Sequence, residues 1–286
     1  MRIHHPEVLA RLGKVRHVLF DFDGTLSVLR EGWESVMVPV MIEAICGQTP
    51  SLRSGQVPAT EAIEHEVREY VEQSTGILTI LQMEWLVEAV RKHGLVDSPL
   101  SAADYKARYL ERLMVRVEER IHQVETGACE PEEWMICGAH SFLRSLLERG
   151  AKLYLISGTD HPDVQSEAGV LRLADFFAGR IYGALDEREA HSKDRIIQRI
   201  LDEHQLIGDE LLVVGDGPVE IREARARGAI ALGVASDEVL RFGWNERKIT
   251  RLTQAGADLL IPDFSQPEDL MRLFYCPGQV QTPEIE

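Results

Sequence analysis

Cysteine is scarce and scattered. Cys46, Cys129, Cys137 and Cys276 form no Cys-x-x-Cys pair. That spacing argues against a zinc knuckle and a disulfide framework, and it fits buried or inert thiols in a reducing compartment. Long hydrophobic runs are missing too. No apolar stretch approaches the ~20 residues that span a bilayer. The opening residues, Met1 to Pro6, lack an apolar signal core. A soluble, cytoplasmic protein with no membrane partner is expected. Positive charge is in short supply: 31 Lys and Arg stand against 47 Asp and Glu, a formal net charge of −16. Without a basic face for phosphates, no nucleic-acid partner is expected. A small anionic substrate needs only local positive charge. There are no internal repeats or low-complexity segments, and no feature of the sequence sets an oligomeric state.

What is there centres on Val18-Leu19-Phe20-Asp21-Phe22-Asp23-Gly24-Thr25-Leu26. A short apolar run before a glycine turn reads as a buried strand and its exit loop. Side chains two apart on an extended backbone point the same way, so Asp21 and Asp23 are expected to project together from the strand's carboxyl end. In an open α/β sheet that edge binds ligands. Two crowded carboxylates repel, and a cation beside them relieves the repulsion. Gly24 permits a sharp turn, and Thr25 offers a hydroxyl and an N–H to an anion. A solvated turn would also use Asp and Gly, but Asp-x-Asp-Gly-Thr matches by chance only on the order of once in 10⁵ windows.

The 286 residues suffice for one large domain or two. Residues 1–15 read as a surface lead-in. Residues 27–130 read as helix and loop: a helix from about Gly32, with Val36, Val40, Met41 and Ala44 at helical spacing, a Ser/Gly/Pro-rich loop over 47–58, then helices over 59–73, 77–92 and 101–124. A parallel βα unit usually brings its next strand back within about 30 residues. The gap here is far longer, so an inserted all-helical cap domain is expected over 27–130. The core is expected over 1–26 and 131–286. From residue 131 strands and helices alternate: a helix over 132–148, a strand over 151–156, and further strands near 179–182, 211–214, 229–234 and 259–261. The predicted fold class is α/β, a doubly wound, mostly parallel sheet.

Three later strand ends carry chemistry-capable groups. Ser157-Gly158-Thr159 follows an apolar strand and could hold a phosphate or cap a helix. Lys193 opens a helix after Ala190-His191-Ser192, at the unfavourable end of the helix dipole, which suggests an anionic partner. Asp216, in Gly215-Asp216-Gly217, adds a third acid, and Glu220 lies one helical turn later.

In this order the four motifs resemble those of the haloacid dehalogenase superfamily, and the insertion resembles the helical cap that many of its members carry. The resemblance implies a Mg²⁺-dependent phosphatase. Asp21 would be the nucleophile that becomes an aspartyl-phosphate. Asp23 would protonate the leaving alcohol and then activate water. Mg²⁺ would bind Asp21, the Asp23 carbonyl and Asp216. Thr25, Ser157, Gly158 and Lys193 would hold the phosphoryl group. A dehalogenase or phosphonate-cleaving member would lack the acid at 23, so an oxygen ester is implied. Two departures stand out: Glu220 where many relatives have Asp, expected to reach the metal through water, and Ser27-Val28 where many have an acid.

The expected substrate is a small phosphorylated metabolite, such as a sugar phosphate or a phosphoglycolate-like ester. The rivals are a phosphomutase of the same superfamily and a non-catalytic domain that binds a phospho-ligand. Arg30 is the candidate specificity residue because a short tether keeps it near the catalytic loop, and its fork suits a carboxylate or phosphate. Trp33 could present an apolar wall. The competing readings are a surface pairing of Arg30 with Glu31 or Glu34, and a packing role for Trp33.

Overall fold

The computed structural model describes residues 1–47, 57–184 and 193–276. Two compact units divide the chain: Met1–Glu31 with Arg120–Glu286, and Gly32–Glu119.

The first unit is built on one seven-stranded sheet. Its strands are β1 (Arg2–Ile3), β2 (His17–Asp21), β3 (Lys152–Asp160), β4 (Ile181–Ala184), β5 (Leu211–Gly215), β6 (Ile230–Val234) and β7 (Leu259–Ile261). The spatial order is β1-β7-β6-β5-β2-β3-β4. All pairs are parallel except β1 with β7. β2, β5 and β6 are buried at every position. Such continuous apolar runs belong to a sheet covered on both faces.

The helices in chain order are α1 (Glu34–Cys46), α2 (Val57–Gln73), α3 (Thr79–His93), α4 (Ala102–Glu125), α5 (Ala139–Glu148), α6 (His161–Val170), α7 (Ala174–Phe177), α8 (Lys193–Glu203), α9 (Pro218–Ala226), α10 (Glu246–Ala255) and α11 (Pro267–Tyr275). One sheet face packs on α5, α6, α7 and α11 through Phe20, Phe142, Val164, Phe177, Phe264 and Phe274. Phe20 meets Phe142 edge-on at 6.0 Å, and Phe142 stacks on Phe264 at 4.9 Å. Emptying such a site, as in Phe20→Ala, costs about 3–5 kcal/mol. The other face packs Leu19, Ile156 and Val213 on Ile197 of α8, Ile221 of α9 and Leu252 of α10. The doubly wound α/β class read from the sequence is therefore the observed one. Among the described residues no helix is long and apolar enough to cross a membrane.

Three expectations need correction. Residues 1–15 are not a surface lead-in: Arg2 and Ile3 pair with Leu260 and Leu259, and Val8, Leu12 and Val15 are buried in the core. A two-residue strand is too short to show a period. The helix expected over 132–148 is a 3₁₀ turn at Pro131–Trp134 followed by α5. Gly138 breaks it with φ of 80°, and a Cβ there would lie 2.2 Å from the Phe264 carbonyl oxygen. The strand expected over 151–156 begins at Lys152 and runs on to Asp160, and its register with β4 shifts between Ile156 and Asp160.

In the second unit α1 packs against α2 and α3. Its buried residues are Met37, Val38, Val40, Met41 and Ile45, so Val40 and Met41 are buried as expected, whereas Val36 and Ala44 are only half-buried. Tyr70 of α2 stacks on Trp85 of α3 at 3.8 Å, and Tyr105, Tyr109, Leu113 and Val117 supply α4's buried face. Trp33 precedes α1 and is half-buried. Most of the expected 47–58 loop, and the Ala190-His191-Ser192 lead into α8, lie outside the described residues.

Candidate active site

Parallel register brings the chemistry together. Asp21 at the end of β2 lies level with Ile156 on β3, and Phe20 lies level with Val214 on β5. Asp21 thus ends β2, Ser157 follows Ile156 along β3, and Asp216 follows the last residue of β5. The turn after β2 closes through the Gly24 N–H donating to the Ser27 carbonyl at 2.8 Å, and Gly24 has φ of 75°.

Asp21, Asp216 and Glu220 form a buried cluster whose nearest oxygens lie within 4.8 Å of one another. Lys193 reaches it with Nζ 2.6 Å from Asp21 Oδ1 and 2.9 Å from Glu220 Oε2. The anionic partners expected of this helix-opening lysine are therefore present. Burial disfavours its charge, but Asp21 and Glu220 outweigh that and raise its pKa. Burial pushes the Asp21 carboxyl well above the usual range. Lys193 opposes this shift, and Glu220 and Asp216 add to it.

Glu220 has both oxygens engaged: Oε2 by Lys193, and Oε1 by the Gly217 N–H at 2.6 Å. Thr25 turns its hydroxyl to the acids, 3.2 Å from Asp216 Oδ1 and 3.5 Å from Asp21 Oδ2, and its N–H donates to the Phe22 carbonyl. The two aspartates thus turn one oxygen each toward Thr25. This all-oxygen donor set is the kind a hard cation such as Mg²⁺ takes.

Asp23 faces elsewhere. Ser157 Oγ and Thr159 Oγ1 each donate to its Oδ2 at 3.0 Å, and the Thr159 N–H donates to Ser157 Oγ at 3.0 Å. Oδ1 of Asp23 is buried with no hydrogen-bond partner. Gly158 lies between these two hydroxyl-bearing residues, half-buried. Beyond Oδ1, at 4.0 Å, is Nε of Arg30.

Arg30 is buried, so it is not a surface charge. Its Nε donates to Glu167 at 3.0 and 3.2 Å, and Nη2 donates to Glu167 at 2.5 Å and Asp163 at 3.2 Å. Of the two neighbours considered as its partner, Glu31 and Glu34, Glu31 is instead paired with Arg120. Burial raises the Glu167 pKa to about 7 against the pull of Arg30.

Sequence reasoning missed a second set of charges. Lys248 Nζ lies 2.8 Å from Asp216 Oδ2 and 2.7 Å from Glu238 Oε1, and donates to the Gly24 carbonyl at 3.3 Å. Arg251 donates through Nη2 to the Asp216 carbonyl at 3.0 Å and to its Oδ2 at 3.3 Å. Burial alone would raise the Asp216 pKa, but Lys248 and Arg251 bring it below the ordinary value. The one available signal was Lys248 in the first turn of α10, the same dipole mismatch that singled out Lys193.

The profile of haloacid dehalogenase-like hydrolases matches residues 15–228. The chain belongs to this hydrolase family. No curated protein sequence matches it. Solved structures share the fold at low identity. A predicted phosphatase from Clostridium acetobutylicum is 18% identical with a TM-score of 0.56, covering 90% of this chain and 99% of its own. A predicted phosphoglycolate phosphatase from Haemophilus somnus is 16% identical at 0.57, covering 90% and 98%. A β-phosphoglucomutase from Clostridium difficile is 14% identical at 0.57, covering 91% and 97%.

Proposed function

We propose that the protein is a phosphoric monoester hydrolase acting on a small phosphorylated metabolite through an aspartyl-phosphate on Asp21. The observation that carries this reading is the state of Asp23. Two hydroxyls fix its Oδ2, while Oδ1 is left without a hydrogen-bond partner. A carboxyl so held has one oxygen to give and take a proton.

In the proposed reaction a carboxylate oxygen of Asp21 forms a bond to phosphorus as the ester P–O bond breaks. Asp23 gives its proton to the departing alkoxide. The carboxylate of Asp23 then takes a proton from water, whose oxygen attacks phosphorus, and the P–O bond to Asp21 breaks to release inorganic phosphate. Lys193 offsets charge on Asp21 during attack. Asp21, the Asp23 carbonyl and Asp216 are the proposed holders of Mg²⁺, and Glu220 would act through water. Bound there, Mg²⁺ would reduce the repulsion between a carboxylate and a phosphate dianion. Gly158 and Lys193 are proposed to meet the phosphoryl oxygens, and Ser157, whose hydroxyl proton serves Asp23, to hold that acid. For Thr25, whose donors serve other groups, we propose orientation of Asp21 and Asp216. The segment 27–130 is proposed as the specificity-bearing cap domain, and Trp33 as a specificity residue within it. Phosphoryl return to a sugar is the alternative, because a β-phosphoglucomutase shares the fold.

The test is turnover of p-nitrophenyl phosphate and a panel of sugar phosphates, phosphoglycolate and nucleotides. Phosphate release that needs Mg²⁺, stops with EDTA and is abolished in Asp21→Asn is expected. Isomerisation that requires a bisphosphate primer would establish the mutase reading. No phosphoryl transfer from any ester would overturn both.

A further inference from the structure

Lys248 is a buried lysine in the first turn of α10, whose N-cap is Asn245. A cation there opposes the helix dipole and loses its hydration, so its partners must offset both costs. Those partners are all oxygens: Asp216 Oδ2 at 2.8 Å, Glu238 Oε1 at 2.7 Å and the Gly24 carbonyl at 3.3 Å. Two carboxylates and a carbonyl around one point are a donor set that suits a hard cation. The ammonium sits at that point. It shares Asp216 with the cluster that holds Asp21, so Asp216 has one oxygen directed toward Thr25 and one toward Lys248. Gly24 keeps the space open: a Cβ there would lie 2.6 Å from Asp216 Oδ2 and 3.1 Å from Glu238 Oε1.

We propose that Lys248 fills a second cation position beside the Asp21–Asp216 pair with its own ammonium, and so limits the site to a single divalent ion. The proposal rests on the reading of Asp21 and Asp216 as metal ligands. Lys193 supports it by analogy within the molecule. It too lies in the first turn of a helix and grips one oxygen of an aspartate whose other oxygen turns toward Thr25. The two lysines thus hold the outer oxygens, and the inner pair is left for one ion. Glu238 is the residue that makes the outer position a cation site rather than a simple ion pair. With Lys248 gone, Glu238, Asp216 and the Gly24 carbonyl would face one another with the Arg251 guanidinium, 3.3 Å from Asp216 Oδ2, left to offset their charge.

The test counts Mn²⁺ bound to the full chain by electron paramagnetic resonance and by calorimetry. Wild type is expected to bind one ion and Lys248→Ala two. Two ions sharing Asp216 would lie about 3.5–4 Å apart and give a spin-coupled spectrum. Lys248→Ala with Glu238→Gln is expected to return to one. If Lys248→Ala folds only with metal, its thermal midpoint should keep rising with Mn²⁺ at concentrations where wild type has levelled off. One ion in Lys248→Ala without spin coupling or extra stabilisation would overturn the proposal, as would two ions in wild type. No Mn²⁺ on wild type would instead overturn the metal reading of Asp21 and Asp216, and the proposal with it.

Discussion

Ser157 and Asp23, far apart in sequence, are joined by a 3.0 Å hydrogen bond from hydroxyl to carboxylate, and Thr159 donates a second to the same oxygen. Both hydroxyls come from the stretch of β3 where its register with β4 shifts. Losing one should disturb Asp23 partly, because the other keeps its grip. A hydrogen bond to a charged group contributes roughly 1.5–3 kcal/mol. Ser157→Ala or Thr159→Val alone should lower kcat about tenfold or more, and the pair together should lower it further. Steady-state kinetics with p-nitrophenyl phosphate measures this. An unchanged kcat in the double variant would detach Asp23 from the proton transfers.

Arg30 is expected to support Asp23 more than to select substrates, since Glu167 and Asp163 take up its fork. Arg30→Ala should lower kcat alike for p-nitrophenyl phosphate and for larger esters. A rise in KM confined to the larger esters would favour the specificity role. The same variant leaves Glu167 buried without its partner, a change that typically costs about 3–5 kcal/mol. Urea unfolding should show most of that loss restored in Arg30→Ala with Glu167→Gln.

Gly24→Ala should be far more damaging than an average glycine substitution. The new Cβ would meet Asp216 Oδ2 at 2.6 Å on a backbone with positive φ. The expected outcome is a folded protein whose thermal midpoint no longer responds to Mg²⁺. A response equal to wild type would show that Asp216 can move without consequence.

His17 gives the fold a dependence on acid. Burial, with His204, Lys152 and Arg16, lowers its pKa from 6.5 to about 4, and Glu210 opposes weakly. The folded chain therefore resists protonation that the unfolded chain accepts. Its contribution is complete above pH 6.5 and is lost as the pH falls toward 4. His17→Gln should remove that part of the slope. Denaturant titrations from pH 7 to 4 would show it, and parallel curves for the two proteins would refute it.

The sheet and its acids were legible because their signals are local. Asp23 and Asp216 each sit beside a glycine after an apolar run, Asp21 ends such a run just ahead of Gly24, and a buried parallel strand announces itself that way. Lys193 was found by a dipole argument that applied equally to Lys248. Lys248 escaped because Asn245-Glu246-Arg247-Lys248 also reads as an ordinary solvated first turn. Arg30 was flagged, but its buried partner was not, because Glu167 lies on a helix after β3 and no spacing rule links the two. Thr159 was noticed only as part of Ser157-Gly158-Thr159, since an extended loop and a strand with shifted register look alike in sequence. The N-terminal strand gave no signal, because two residues cannot display a period.

The sheet order has a consequence for how the protein is made. β2 carries Asp21, yet its neighbours are β3 and β5, with His17 paired to Lys152 on one side and Leu211 on the other. Both neighbours are synthesised later. A growing chain therefore carries an apolar strand with two open edges until β3 has been made, the arrangement most exposed to pairing with other chains. The same order delays assembly of the acidic cluster until after Glu220 has been added. Asp21 is translated before Ser157, Lys193, Asp216 and Glu220, so its strand must wait for the partners that will cover it.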